Sequence, residues 1–218
     1  MNINEIERVY NPKLFTPEML AEVERFATLI HKNCKQIVHI YDTNDGEYFY
    51  RGLANTKEPF LVGQSKENRA PRQTKPQVQV RMDKVLGKLG FTALRSNSIF
   101  VTSDYTTARG VYASAAGIVY VIFPLDGFTY TWSPNVHDFF VDGIDPYTKG
   151  YGYKTYGMPT IPQFMLNTAN LGDLKWFKRY YGYKDTDLEQ ALRTESEVMI
   201  RGKYYAVRSD IVTYAGIL

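Results

Sequence analysis

Between Thr194 and Ile200 two carboxylates, Glu195 and Glu197, stand two residues apart and run directly into the apolar segment Val198-Met199-Ile200. Side chains i and i+2 of a β-strand point to one face. A strand here sets the two glutamates side by side, with Met199 on their face and Ser196, Val198 and Ile200 on the other. Arg201-Gly202-Lys203 then reads as a turn and Tyr204-Tyr205-Ala206-Val207 as a return strand, giving a hairpin with two acids at its mouth. Glutamates at a strand entrance are ordinarily solvated, because glutamate is rarely buried. The chemical alternative is that one carboxylate stabilises a sugar cation while the other orients an acceptor, since glycosidic-bond chemistry needs a carboxylate beside an oxocarbenium-like centre. Spacing alone does not choose between the two.

The rest of the chain narrows the choice. At 218 residues it is long enough for one domain with a sizeable core. Aromatic residues make up 15% of it, with 18 tyrosines and 12 phenylalanines, which suits β-structure and stacking pockets. A net charge of +3 is too small to establish a nucleic-acid partner. A single cysteine, Cys34, excludes an internal disulfide and fits a reducing compartment. His31, His39, His137 and Cys34 have no metal-ligand spacing, so no metal is expected. No apolar run reaches membrane-spanning length and the first residues lack a signal-peptide pattern, so the expected location is the cytoplasm.

Thr16-Pro17-Glu18 opens a helix over about 17–33, with Thr16 as its cap and Met19, Val23, Phe26, Ala27 and Ile30 at helical spacing. Gln36–Tyr41 reads equally as strand or helix end, and Asn44-Asp45-Gly46 as a turn. Glu47–Leu53 reads as a strand ending at Arg51-Gly52. Arg51 there is either a structural ion-pair partner or a bidentate clamp for a phosphate. Residues 54–77 read as a long loop whose Lys66, Arg69, Arg72 and Lys75 form a solvated or flap-like basic set. Val78–Leu89 is a helix closed by Gly90. Ile99-Phe100-Val101 is a buried strand, and Ser103 or Asp104 caps a short helix carrying Ala108, Val111 and Tyr112. Hydroxyls at such a junction either cap the helix or meet a polar or anionic ligand. Ile118–Phe123 is the strongest strand, and it pairs with Phe128–Trp132 through Asp126-Gly127 in this reading. Residues 141–163, rich in glycine, proline and tyrosine, form a loop, Gln163–Tyr181 a helix, and Asp185 or Thr186 caps a helix leading to the glutamates. There is no internal repeat and no linker, so residues 1–218 read as a single domain with an N-terminal helical portion over about 1–45.

Three stretches now stand in order: Tyr50-Arg51-Gly52; Phe100-Val101-Thr102-Ser103 with Ala108 following; and Glu195-Ser196-Glu197 continuing through Val198-Met199-Ile200 to Gly202-Lys203-Tyr204-Tyr205. Over roughly residues 47–208 this set resembles the Arg–Ser–Glu class of mono-ADP-ribosyltransferases, closest to its phage-encoded and bacterial-toxin members. That family carries an aromatic-Arg motif, a Ser-Thr-Ser motif on a strand and a Glu-x-Glu motif. One departure is plain: with Thr102 and Ser103 as the second and third residues of the hydroxyl motif, Val101 stands where the first serine would be.

The resemblance implies an α+β fold, a split β-sandwich of two packed sheets with flanking helices, and NAD as substrate. It implies that Arg51, with Gly52, holds the NAD diphosphate or the nicotinamide-side ribose, and that Thr102 and Ser103 bind that ribose and hold Glu197. It gives Glu197 the ribose 2′-hydroxyl and the growing cation, and Glu195 the acceptor, a protein arginine in the favoured reading. Residues 183–194 would face the acceptor, and Tyr183 or the 147–156 loop would stack on acceptor or nicotinamide. A toxin of this kind implies an antitoxin or inhibitor as partner. The alternatives are a nucleic-acid base as acceptor, water as acceptor in an NAD glycohydrolase, an idle binding module, and a tyrosine-rich nucleic-acid-binding domain. Lys175, Lys178, Arg179 and Lys184 could approach phosphates or simply be solvated.

Overall fold

The computed structural model describes residues 16–54, 56–71, 75–113, 117–136, 178 and 181–215. The chain is α+β, with one four-stranded and one three-stranded antiparallel sheet and several helices. It divides into two compact units made of interleaved segments. One takes Met1–Gln64, Asp104–Phe128 and Gly202–Leu218; the other takes Ser65–Ser103 and Thr129–Arg201. The expected loop at 141–163 and the helix at 163–181 fall outside the described residues except for Lys178 and Tyr181.

In the first unit α1 (Pro17–Asn33) begins as its sequence dictates: Pro17 takes the first turn and Met19 N donates to Thr16 Oγ1 at 3.3 Å. Val23, Phe26 and Ile30 are its buried stripe. Gln36–Tyr41, ambiguous in sequence, is the body of α2 (Lys35–Asp42), which buries Ile37, Val38 and Tyr41. Its first turn is capped from afar, Gln36 N donating to Asp126 Oδ1 at 3.0 Å. The sheet has the order β1-β4-β7-β2, from β1 (Tyr50–Leu53), β2 (Phe60–Gln64), β4 (Ile118–Pro124) and β7 (Lys203–Arg208). β1 is shorter than expected, and Arg51 is its second residue rather than its end. Phe49 lies outside it, its N–H donating to the buried Tyr41 hydroxyl at 3.1 Å. The same hydroxyl donates to the Ile122 carbonyl at 2.7 Å, which fixes α2 to the sheet. Phe26 stacks on Phe60 with ring centres 4.5 Å apart and meets Tyr205 edge-on, joining α1 to the core.

β2 lies inside the stretch that read as a loop. It follows Pro59, holds Gly63 and exposes Val62, so it lacks the continuous apolar run that marks the central strands. After Ser103, Asp104 caps α4 (Tyr105–Thr107), its Oδ1 accepting from Thr106 N at 2.8 Å. The chain then widens into a π-helical turn, Ala108–Tyr112. α6 (Ser209–Ala215) ends the described chain.

The second unit is built on β3 (Ile99–Val101), β5 (Thr129–Trp132) and β6 (Val198–Arg201), in the order β3-β6-β5. α3 (Pro76–Lys88) buries Val78, Met82, Val85 and Leu86, helical positions i, i+4, i+7 and i+8. They pack with Phe100 of β3, Met199 of β6, Val136 and Tyr183. Trp132 is fully buried, and its Nε1 donates to the Thr186 carbonyl at 2.8 Å. α5 (Leu188–Arg193) starts from Asp187, not from Asp185 or Thr186. Asp187 takes a left-handed φ of 56° and makes no side-chain cap, because its carboxylate pairs with Lys184 Nζ at 3.0 Å.

Both expected hairpins are overturned. β6 pairs with β3 and β5, whereas β7, after Gly202, pairs with β4 and β2. Likewise β4 pairs with β1 and β7, and β5 with β6. Only Gly202 separates β6 from β7, fewer residues than the two-residue loop that closes a tight hairpin. β4, enclosed on both faces from Val119 onward, has both edges taken by β1 and β7, which leaves none for β5. Among the described residues no helix is long and apolar enough to cross a membrane.

Candidate functional site

In the three-stranded unit, the chain after α5 reaches β6 through Thr194, Glu195, Ser196 and Glu197, none of which is in a strand. The strand alternation expected to set Glu195 beside Glu197 is therefore absent. Glu195 takes a left-handed φ of 55°, a conformation costing a non-glycine residue on the order of 1 kcal/mol. That turn sends Ser196 inward, fully buried, where its Oγ shares a 3.0 Å hydrogen bond with Thr194 Oγ1. It leaves Glu195 exposed and brings Glu197 to the threshold of β6 with its side chain only 12% exposed.

Thr102 and Ser103 arrive at the same place from β3. Val101 is opposite Val198 in the ladder, so the next residues of β3 reach the turn before β6. Buried Thr102 donates from Oγ1 to the Glu195 carbonyl at 3.1 Å. Ser103 Oγ is enclosed and makes no hydrogen bond among the described residues. Val101 is the last residue of β3 and is fully buried.

Arg95 is the residue that the sequence did not single out. Its Nη1 donates to Glu197 Oε1 at 3.2 Å, and its side chain is 9% exposed. The guanidinium carbon lies 4.7 Å from the centre of the Phe100 ring, and that of Arg69 lies 4.3 Å from it. Arg95 N donates to Asp83 Oδ1 at 2.8 Å. Desolvation raises the Asp83 carboxyl above its usual range, against hydrogen bonds from Ser96 and Arg95 that lower it. Arg69, from the expected basic flap, is anchored by its backbone: its N–H donates to the Ser96 carbonyl at 2.7 Å and its carbonyl accepts from Gln79 Nε2 at 2.7 Å. Lys66 and Lys75 are solvated, and Arg72 lies outside the described residues. A signal for Arg95 existed only in the form of a question, namely which cation would accompany a carboxylate that enters a buried strand.

Arg51 and Gly52 belong to the four-stranded unit. Arg51 is half-buried on β1, opposite Tyr120 of β4. Gly52 is buried where the backbone of the π-helical turn passes: a Cβ there would lie 2.2 Å from Ala113 N and 2.3 Å from Ala108 O. Its absent side chain is a packing requirement of this fold.

The expected stacking role of Tyr183 is corrected, since its ring is buried in the core beside Met199 and Phe100. The 147–156 tyrosines, Lys175 and Arg179 lie outside the described residues. Lys178 is exposed; Lys184 sits 4.5 Å over the Trp132 ring and pairs with Asp187. Among the described residues no His, Cys, Asp and Glu side chains gather in a group of three or more that could hold a metal ion. What the arrangement offers chemically is one enclosed, arginine-paired carboxylate, one exposed carboxylate two residues away, and an unsatisfied hydroxyl on the neighbouring strand end. No family model matches the chain, and no curated protein or solved structure is significantly similar to it.

Proposed function

We propose that the chain is an NAD-dependent mono-ADP-ribosyltransferase of the Arg–Ser–Glu class, with the split-sandwich fold of that class, acting on a protein arginine. The observation that carries the reading is the hydrogen bond from Thr102 to the Glu195 carbonyl, which joins the hydroxyl motif to the glutamate motif across 93 residues of sequence. The two glutamates also differ as the two roles require. Glu197 is enclosed and paired, suited to fixed electrostatic work; Glu195 is exposed, suited to meeting a macromolecule.

In this reading the bond between ribose C1′ and the nicotinamide nitrogen breaks heterolytically. Its electron pair goes to the ring nitrogen, which leaves as neutral nicotinamide, and the ribose becomes an oxocarbenium ion. Glu197, through the 2′-hydroxyl, stabilises that charge more in the transition state than in the ground state. An arginine nitrogen of the acceptor then attacks C1′ and passes its proton to Glu195. Ser103, with its unsatisfied hydroxyl, is the better candidate for the ribose, while Thr102 shapes the turn. The diphosphate role of Arg51 rests on the motif resemblance alone; its always-charged planar fork suits that task. Removing one preorganised group of this kind costs about 3 to 4 kcal/mol of barrier.

The test incubates the purified protein with labelled NAD in a bacterial lysate, beside Glu197→Gln, and splits the products with protease and nuclease. Label in protease-sensitive material, absent in the variant, is expected. Nuclease-sensitive label would keep the catalytic assignment and replace the acceptor; nicotinamide release without label would make water the acceptor. No NAD consumption would overturn the proposal.

A further inference from the structure

We infer that Arg95 is a positioning residue for Glu197, holding its carboxylate in one orientation at the entrance to β6. The inference rests on the reading of Glu197 as the group that stabilises the ribose cation.

Arg95 is itself fixed at three points. Its backbone N–H is held by Asp83 of α3, its guanidinium lies over the Phe100 ring of β3, and its Nη1 reaches Glu197 from 102 residues away in sequence. A guanidinium lying over an aromatic ring keeps its plane and its donors in register with a carboxylate, which a lysine ammonium on a flexible stem does not do. Both side chains of the pair are nearly out of water. Removing two charges from water is costly, and a pair of well-packed apolar side chains would serve stability at least as well. The pair is therefore better explained by what the carboxylate does than by what it adds to the fold. A carboxylate that must face a developing cation has to be ionised and preorganised before the bond breaks. A neighbouring guanidinium secures the first requirement through its charge, and the second through its direction. Among the described residues, further charged groups near this pair include Arg69 over the same ring, Asp83 behind the Arg95 backbone, and Glu195 two residues before Glu197.

The test uses the full-length protein as wild type, Arg95→Gln and Arg95→Lys, with two readouts. The first is nicotinamide release from NAD, resolved into kcat and KM. The second is the carboxyl-carbon NMR titration of Glu197, assigned by its loss in Glu197→Gln. Arg95→Gln is expected to lower kcat about 10- to 100-fold with little change in KM, to have no further effect in the Glu197→Gln background, and to move the Glu197 titration to higher pH. Arg95→Lys, the variant that decides if the glutamine protein does not fold, is expected to titrate like wild type and to lose several-fold in kcat at unchanged KM. A Lys variant as fast as wild type, a loss confined to KM, or a Glu197 titration indifferent to Arg95→Gln overturns the inference. If the wild-type protein releases no nicotinamide, the proposed function fails, and the titration still decides whether Arg95 governs Glu197.

Discussion

The hydroxyl of Thr102 donates to the carbonyl of Glu195 at 3.1 Å, and Glu195 is the one residue of the acidic turn with a left-handed backbone. The strained residue is thus tied to the strand end beside it. Release of that tie would let the turn relax, and Glu197 is only two residues further along.

Thr102→Val keeps the shape of the side chain and removes the donor. It should cost about 1 to 3 kcal/mol in stability, the range for a buried hydrogen bond with one partner deleted. Nicotinamide release should fall by more than that loss of fold accounts for, while Thr102→Ser retains both. Denaturant titration beside kcat measurements checks the pair; a Val variant with wild-type turnover would detach Thr102 from the site.

Glu195→Gly separates stability from function. Glycine adopts φ near 55° without the Cβ penalty of about 1 to 2 kcal/mol, its greater unfolded-chain freedom takes back about 0.4 to 1, and the variant should be more stable by about 0.5 to 1 kcal/mol. Its carboxylate is lost, so transfer to arginine should disappear while slow NAD hydrolysis, carried by Glu197, persists. Thermal melts with paired assays of transfer and nicotinamide release test both halves. Loss of hydrolysis along with transfer would give Glu195 a role in bond cleavage.

Much of this arrangement is readable from sequence, and the remainder is unreadable for specific reasons. Thr16-Pro17 and the apolar spacing after it define α1 because capping and periodicity act within a few residues. The burial of Ile99–Val101 follows from composition alone. Pairing partners do not: β4 and β5 are separated by a short turn, yet each is satisfied by strands distant in sequence. The Glu-Ser-Glu segment shows the same limit locally. Its i, i+2 spacing invites a strand, but Glu195 is left-handed and its carbonyl is held by the hydroxyl of Thr102, just past β3 and 93 residues away in sequence. Arg95 sits in a polar stretch with no pattern of its own, and only the folded chain reveals its carboxylate.

Cys34 gives the fold a pH signature. It is fully buried with Sγ 3.5 Å from the Phe123 carbonyl, and burial, reinforced by Asp126, pushes its thiol up to about 12 from an ordinary value of 9.0. The folded state therefore holds this proton more tightly than the unfolded chain does. Stability from this group is intact below about pH 9 and declines as pH rises from there toward 12, at about 1.4 kcal/mol per unit. Cys34→Ser does not titrate in this range. The stability gap between wild type and the serine variant should shift by about 2 kcal/mol in favour of serine between pH 8 and about 10.5. Tyrosines common to both proteins cancel in that difference. A constant gap would show that the thiol titrates normally, and rapid alkylation of the native protein would say the same.

Gly52 makes the sharpest packing prediction, because what it faces is backbone. The two atoms nearest a new Cβ, Ala113 N and Ala108 O, are themselves joined by the 3.1 Å hydrogen bond that closes the π-helical turn. Neither can move aside without breaking that bond or displacing β1, on which Arg51 is the neighbouring residue. Gly52→Ala should therefore lose about 3 kcal/mol, at the upper end of ordinary overpacking. A Cβ on Gly87, near the end of α3, would meet nothing within 4 Å among the described residues, so Gly87→Ala should gain about 0.5 to 1 kcal/mol from helix propensity. Melts of the two single variants test opposite signs for one chemical change. If Gly52→Ala proved as benign as Gly87→Ala, the turn would not lie against β1 as described, and Gly52 would owe its place to something other than this close approach.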